Sequence, residues 1–353
     1  MRKIFLHLGY PKTGTSSIQA FHRDNSEVLA KLGFHVPSVG RGPHGAHHTL
    51  IRTLAGQPVP PHAAVTESDI IRELSEAPAD CVLISSELLT GMLVNPGQAG
   101  RLLGSLRSTG AEIVLVMYVR NQSQRLNSGY SQQVKSFRHR GQFRAHIANA
   151  LANRAAYGYA QWFDIVGRHG LELRARPFSE EVRKEGVIHD YLRTVGCPSS
   201  DQLSLPPRAN ESVGPFTVEA ARRLQTWAVE RWDGLTLLQA NRCKVTLDQT
   251  IRATDIREPR YCGLDDELAR KIDAAFAASN VGFARRTWGC DWQSVFHSDI
   301  AQSFETNDYL DTGVPPPVRE PLQAVLAKMR SEIEMILKRP RLAVREDWNK
   351  LPG

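Results

Sequence analysis

An α/β fold built on a parallel sheet is the class predicted by this chain of 353 residues, and three features predict it. Apolar, strand-like runs alternate with helical patterns through the first half, the order that lays helices against a parallel sheet. The run Ile113-Val114-Leu115-Val116-Met117-Tyr118-Val119 is apolar without alternation and rich in β-branched residues, which suits a strand buried on both faces. The run Ile4-Phe5-Leu6-His7-Leu8 leads into Gly9-Tyr10-Pro11-Lys12-Thr13-Gly14-Thr15-Ser16-Ser17, after which a helical pattern begins near Ile18. Strand, glycine-containing loop and helix is the layout that aims backbone N–H groups and a helix N-terminus at a phosphate.

In chain order, strands are predicted at 3–8, 32–36, 80–85, 112–119 and 170–175. Helices are predicted at 15–31, 66–77, 97–109, 123–138, 141–156, 157–169 and 187–195. Segment 37–48 is a Gly/Pro/His loop without a core signal, and 198–214 is a second loop. Beyond it the pattern is mostly helical, at 215–232, 264–281 and 318–338. The expected division is one α/β domain over 1–290, with its ligand-binding elements mainly in 1–213 and a helical part at 214–290. A polar linker at 291–317, containing Pro315-Pro316-Pro317, then leads to a helical extension at 318–353. That extension is expected to pack on the domain or on a partner subunit, which keeps a homodimer in view.

Composition narrows the partners. Forty-four basic against 37 acidic residues give a net charge of +7, which favours anionic ligands. There is no zinc-finger spacing, RNP-type aromatic motif or long Lys/Arg block, so no nucleic-acid partner is expected. Cys81, Cys197, Cys243, Cys262 and Cys290 are scattered and form no C-x-x-C, so neither a disulfide framework nor a metal cluster is expected. The first strand starts at residue 3 or 4 with no signal-like segment before it, and no apolar stretch reaches the ~20 residues of a membrane span. A soluble, cytoplasmic protein is the expectation.

The loop at 9–17 invites comparison with the nucleotide P-loop, G-x-x-x-x-G-K-[ST]. Gly9 and Gly14 fit the glycine spacing, but Thr15 follows, and the loop's lysine is Lys12. A nucleotide hydrolase also needs a strand ending in Asp to hold Mg²⁺, whereas two strands here end in Ser85-Ser86-Glu87 and in Arg120. The string Y-P-K-[ST]-G-T-[ST] instead resembles the 5′-phosphosulfate loop of the sulfotransferases that use 3′-phosphoadenosine 5′-phosphosulfate (PAPS). Arg120 ends a strand and Ser128 stands eight residues later on a predicted helix, which resembles that family's 3′-phosphate motif. With Ser123 as cap, Ser128 lies roughly 7 Å further along the helix axis, within reach of a shared phosphate. The resemblance covers about the first 210 residues, and a bacterial carbohydrate-type branch fits best. It implies a P-loop-type parallel sheet flanked by helices, with a mostly helical C-terminal portion. It also implies PAPS as donor, 3′-phosphoadenosine 5′-phosphate (PAP) as product, and no required metal.

Residue roles follow from that resemblance. Lys12, Thr13, Gly14, Thr15, Ser16 and Ser17 would hold the 5′-phosphosulfate, with Lys12 stabilising the leaving phosphate. Arg120 and Ser128 would hold the 3′-phosphate. Arg208 and Asn210 fall where the cytosolic branch has an Arg-Lys-Gly loop, although that string is absent. Transfer to a hydroxyl calls for a general base. Glu87, at a strand end where some carbohydrate sulfotransferases carry a Glu base, is one candidate, and His47 or His48 is the other. A zinc site at His44, His47 and His48 lacks a nearby Cys or acidic partner. An adenine-stacking ring is expected from Trp162, Phe163 or Phe178, each of which is also a core candidate. The acceptor class suggested is a carbohydrate or lipid-linked saccharide, with a polypeptide tyrosine or natural-product hydroxyl open. From other classes, a P-loop kinase or NTPase-like phosphoryl transferase and a non-catalytic nucleotide-binding protein remain as alternatives.

Overall fold

A computed structural model describes residues 1–10, 12–207, 213–232 and 234–338. Pro11, Arg208 and Asn210 lie outside the described residues. The chain divides into two compact units, one formed by Met1–Asn121, Gly158–Ala209 and Phe276–Ala301, the other by Gln122–Tyr157, Asn210–Ala275 and Gln302–Gly353. The units interleave along the chain, a pattern that local composition does not reveal, whereas the division read from sequence runs 1–290, 291–317 and 318–353.

The first unit holds strands β1 (Lys3–Leu8), β2 (Phe34–His35), β3 (Cys81–Ser86), β4 (Glu112–Val119) and β5 (Glu172–Pro177). Among the described residues they form a five-stranded sheet, parallel throughout, in the order β2-β3-β1-β4-β5. This is the predicted α/β class with helices on both faces. Alternation sorts the strand residues. Ile4, Leu6, Leu8, Val82, Ile84, Leu115 and Met117 share one core with Leu50, Leu89 and Leu102 of the helices His48–Leu54, Leu88–Val94 and Pro96–Arg107. Phe5, Leu83, Val114, Val116 and Tyr118 share the other with Ile18, Phe21, Ile188 and Tyr191 of Thr15–Asp24 and Val187–Val195. Each fully buried aliphatic or aromatic side chain of this kind contributes about 1.5–3 kcal/mol. A charge placed at Leu115 would therefore break the sheet core.

Register sets where a ligand can sit. Leu8 pairs with Ser86 on one side and Met117 on the other, so β1 and β3 end level while β4 continues to Val119. From β1 the chain turns to the β2–β3 side, and from β4 it turns to β5. The connections part between β1 and β4, and open parallel sheets hold ligands at such a crevice.

The second unit is helical among its described residues. Gln122–Lys135, Pro215–Val229, Leu237–Arg252 and Pro316–Lys338 bury Leu126, Tyr130, Val134, Leu224, Leu247, Val325, Met329 and Ile333. The C-terminal helix thus packs within this unit, against Pro215–Val229 and Leu237–Arg252. No helix among the described residues is long and apolar enough to cross a membrane.

Several elements differ from expectation. The helix predicted over 15–31 is two helices, Thr15–Asp24 and Ser26–Lys31, parted at Asn25, whose amide donates to Phe21 O (2.9 Å) and Ser204 O (2.8 Å). The loop at 37–48 ends in the helix His48–Leu54, and Leu88–Val94, Glu180–Glu185 and Leu237–Arg252 have no counterpart among the predicted helices. The helix expected to be capped by Ser123 starts at Gln122, with Ser123 fully buried. Segment 291–317 carries short helices at Trp292–Val295, His297–Ala301 and Tyr309–Thr312, and buries Trp292 and Phe296.

Candidate functional site

Gly9 begins the loop where β1 ends. Its N–H reaches Ser86 O at 3.4 Å, and a Cβ placed on it would come within 2.8 Å of Glu87 Cγ and 2.7 Å of Thr15 Cγ2. Only a glycine lets the loop base and Glu87 pack this closely. Gly14 has φ +83° and its Cβ would meet Val187 Cγ1 at 2.7 Å, so both backbone and space call for glycine. Lys12 is one of the non-glycine residues with positive φ, at 64°. Holding a lysine in that sparsely populated region costs on the order of 1 kcal/mol or more, a strain typical of ligand clamps.

Internal bonds shape the loop. Thr13 Oγ1 donates to Tyr10 O at 2.8 Å and Thr15 Oγ1 to the same oxygen at 3.3 Å, while Trp162 Nε1 donates to Tyr10 Oη at 2.7 Å. Thr13 and Thr15 are buried, so these hydroxyls brace the loop from inside. Ser16 is exposed and Ser17 half-buried. At the start of Thr15–Asp24 the first N–H groups lack intrahelical acceptors and carry the positive end of the helix dipole.

On the β3 side, Glu87 follows the strand and precedes Leu88–Val94. Gln19 Nε2, from the helix after the loop, donates to Glu87 Oε2 at 2.9 Å. His48 Nε2 lies 3.4 Å from the same oxygen, and His48 Nδ1 is 2.8 Å from Ser86 Oγ. Burial, followed by the opposing pull of Glu87 and the push of Arg52, leaves His48 with a lowered pKa. The two rival bases are therefore neighbours. His47 is different: fully buried, its Nδ1 accepts from Ser85 N–H (3.2 Å) and its Nε2 meets Pro37 O (3.1 Å). Burial lowers its pKa to about 4 despite those bonds. Both its ring nitrogens serve the backbone, so the reading of His47 as a base gives way to a structural one. Among the described residues no group of three or more His, Cys, Asp or Glu is placed to hold a metal ion.

On the β4 side, Arg120 stands just beyond Val119 and is 9% exposed. Its N–H donates to Tyr159 Oη at 3.1 Å, and that hydroxyl donates to Arg120 O at 2.8 Å. Lys12, Glu87 and Arg120 thus all sit at the C-terminal edge of the sheet. Ser128 belongs to Gln122–Lys135 in the second unit, where its hydroxyl donates to Gln124 O (2.9 Å) and Arg125 O (3.2 Å). Among the stacking candidates, Trp162 is fully buried against Tyr10. Phe163 packs on Phe283 at 5.2 Å with Arg286 over its ring, and Phe178 packs edge-on against Tyr118.

Sequence reasoning missed Gln19 and the part played by Ser86. Ser86 had a signal, a hydroxyl two residues before a helix where it accepts from Leu88 N–H (3.2 Å). Gln19 had none, since its partner is 68 residues away.

Among solved structures, the chain is similar to a sulfotransferase from Alicyclobacillus acidocaldarius, at 19% identity and a TM-score of 0.36, covering 65% of this chain and 92% of that one. A likeness this distant carries no weight for the chemistry. No family model matches the chain, and no curated protein matches it.

Proposed function

We propose that this chain is a sulfotransferase that moves a sulfuryl group from PAPS to an acceptor hydroxyl of a carbohydrate or glycolipid. The observation that supports the reading is the packing of Gly9 against Glu87, which brings the base of the loop that carries Lys12 close to Glu87 and its neighbour His48 at the sheet's C-terminal edge. The donor set suits a phosphosulfate: a lysine, helix N-terminal amides and an exposed serine hydroxyl on one loop would bind its anionic end. Lys12 and the amides would stabilise the charge growing on the leaving 5′-phosphate, and stabilisation of that kind usually does most to lower the barrier. Glu87 or His48 would take the acceptor's proton. Arg120 would bind the donor's 3′-phosphate, since a guanidinium matches a phosphate with two parallel hydrogen bonds. In-line placement of donor and acceptor supplies the rest. The test is an acceptor screen with labelled PAPS against polysaccharide and lipid fractions. Label transferred by the wild type and lost in Lys12→Ala supports the reading. Label on no fraction, or transfer unchanged in Lys12→Ala, defeats it.

A further inference from the structure

Arg120 stands where the sheet stops supporting the chain. Val119 O still receives Phe178 N–H at 2.7 Å from the β5 side, but β1, whose last pair is Leu8 with Met117, ends before it reaches Arg120. The backbone of a buried residue must then find partners elsewhere. Tyr159, 39 residues away, supplies them: its hydroxyl accepts Arg120 N–H at 3.1 Å and donates to Arg120 O at 2.8 Å, much as a neighbouring strand would. The ring that carries this hydroxyl is fully buried and held from two directions. Trp292 stacks on it with centroids 6.0 Å apart, and Trp292 Nε1 donates to Asn121 Oδ1 at 3.2 Å, so the residue after Arg120 is held as well. Tyr10 meets it edge-on at 5.7 Å, and Tyr10 O accepts from both buried threonines of the loop that carries Lys12. One side chain thus braces Arg120 and touches the root of that loop. Packing alone would be served by a phenylalanine, whereas both bonds of this hydroxyl go to a single residue.

Resting on the sulfuryl-transfer reading, we propose that Tyr159 is a positioning residue whose hydroxyl sets the preference for a nucleotide phosphorylated at the 3′ position. It does not touch the ligand. By holding the N–H and C=O of Arg120 it fixes the backbone from which the guanidinium reaches, and two parallel bonds to a phosphate form only from a set direction. The Tyr10 contact keeps that direction in register with the loop that would take the 5′ end.

Three measurements on the full chain test this, with Tyr159→Phe keeping the ring and removing the hydroxyl. The first is hydrogen exchange at the Arg120 amide without ligand, expected to be slow in the wild type and at least about tenfold faster in the variant. Fast exchange in the wild type, or a rate indifferent to Tyr159→Phe, overturns the proposal whatever the chain binds. The second is calorimetry of PAP against 5′-AMP, which is PAP without its 3′-phosphate. Tyr159→Phe should weaken PAP about tenfold and 5′-AMP less than about twofold; the tenfold step, about 1.4 kcal/mol, is the size expected when a buried N–H loses its acceptor. Equal losses for the two nucleotides would make Tyr159 a support of the fold alone and overturn the proposal. The third repeats the PAP titration in Arg120→Ala, where adding Tyr159→Phe should cost nothing further, because the hydroxyl acts through that side chain. A second loss of about tenfold there means that it acts elsewhere, and the proposal fails. A wild type that binds PAP no tighter than 5′-AMP defeats the sulfuryl-transfer reading and the proposal with it, whereas a failure confined to the variants defeats the proposal alone.

Discussion

Both units bury carboxylates paired with arginine, such as Asp190 with Arg176 in the first, but they differ in the other polar groups they seal from water. Behind the loop of the first unit lie His7, His22 and His47, each fully buried. Burial holds all three below the ordinary histidine range, His7 at about 3, His47 at about 4 and His22 well down as well. They are neutral rings in a dry place. The second unit buries an arginine inside a carboxylate network: Arg222, 5% exposed, pairs with Glu219 and with Asp308 at 2.9 Å, and the Tyr261 hydroxyl donates to Asp308 at 2.7 Å. Burial pushes the Asp308 carboxyl up, but its bonds to Arg222 outweigh that and leave it below the usual carboxylate range. A neutral ring is lost by gaining a proton, whereas a paired charge is lost by losing its partner.

Removing a partner should therefore have the largest effect. Arg222→Met leaves buried Asp308 without its cation, while Glu219 keeps Arg223 at 2.6 Å, and is expected to cost about 3–5 kcal/mol, read by denaturant unfolding. A loss below about 1 kcal/mol would mean the network is solvated.

Acid should act on the first unit. Each buried ring has a folded pKa below its unfolded value near 6.5, so stability is complete above that pH and falls as pH drops toward the folded value. At pH 5 His7 and His47 should each cost roughly 2 kcal/mol. The second unit has His146, lowered to about 4 by burial, as its nearest counterpart. Hydrogen exchange at pH 5 against pH 7 is expected to show β1 and β3 losing more protection than Pro215–Val229. Equal losses would erase the contrast.

The smallest effect concerns the loop backbone. Gly14→Ala forces a left-handed residue against Val187 and should destabilise by about 1–3 kcal/mol, with weaker PAP binding in calorimetry. An unchanged protein would mean the loop relaxes freely.

The same contrast explains what the sequence could tell. The strand predicted over 112–119 is β4 residue for residue, because an unbroken apolar run has one stable environment, a doubly covered parallel strand. The loop at 9–17 was legible because it lies at one point in the chain. Helix Leu237–Arg252 had a usable signal in its capping box, Thr236 with Gln239, which a reading by apolar spacing passes over. The burial of His47 had no such signal. A histidine in a Gly/Pro/His loop reads as exposed, and the partners that satisfy it, Pro37 O and Ser85 N–H, are set by tertiary contact. The Glu87–His48–Gln19 grouping is hidden for the same reason, since it joins three elements that only the sheet order brings together.

The central claim is that the loop carrying Lys12 binds a sulfuryl donor rather than an ordinary nucleotide. Calorimetry of PAP against ADP, each with and without Mg²⁺, tests it most directly. PAP binding at least about tenfold tighter than ADP, indifferent to Mg²⁺ and weakened by Arg120→Ala, is the predicted result; a tenfold step corresponds to about 1.4 kcal/mol. Preference for ADP that depends on Mg²⁺ would contradict the claim and make the chain a phosphoryl-transfer protein.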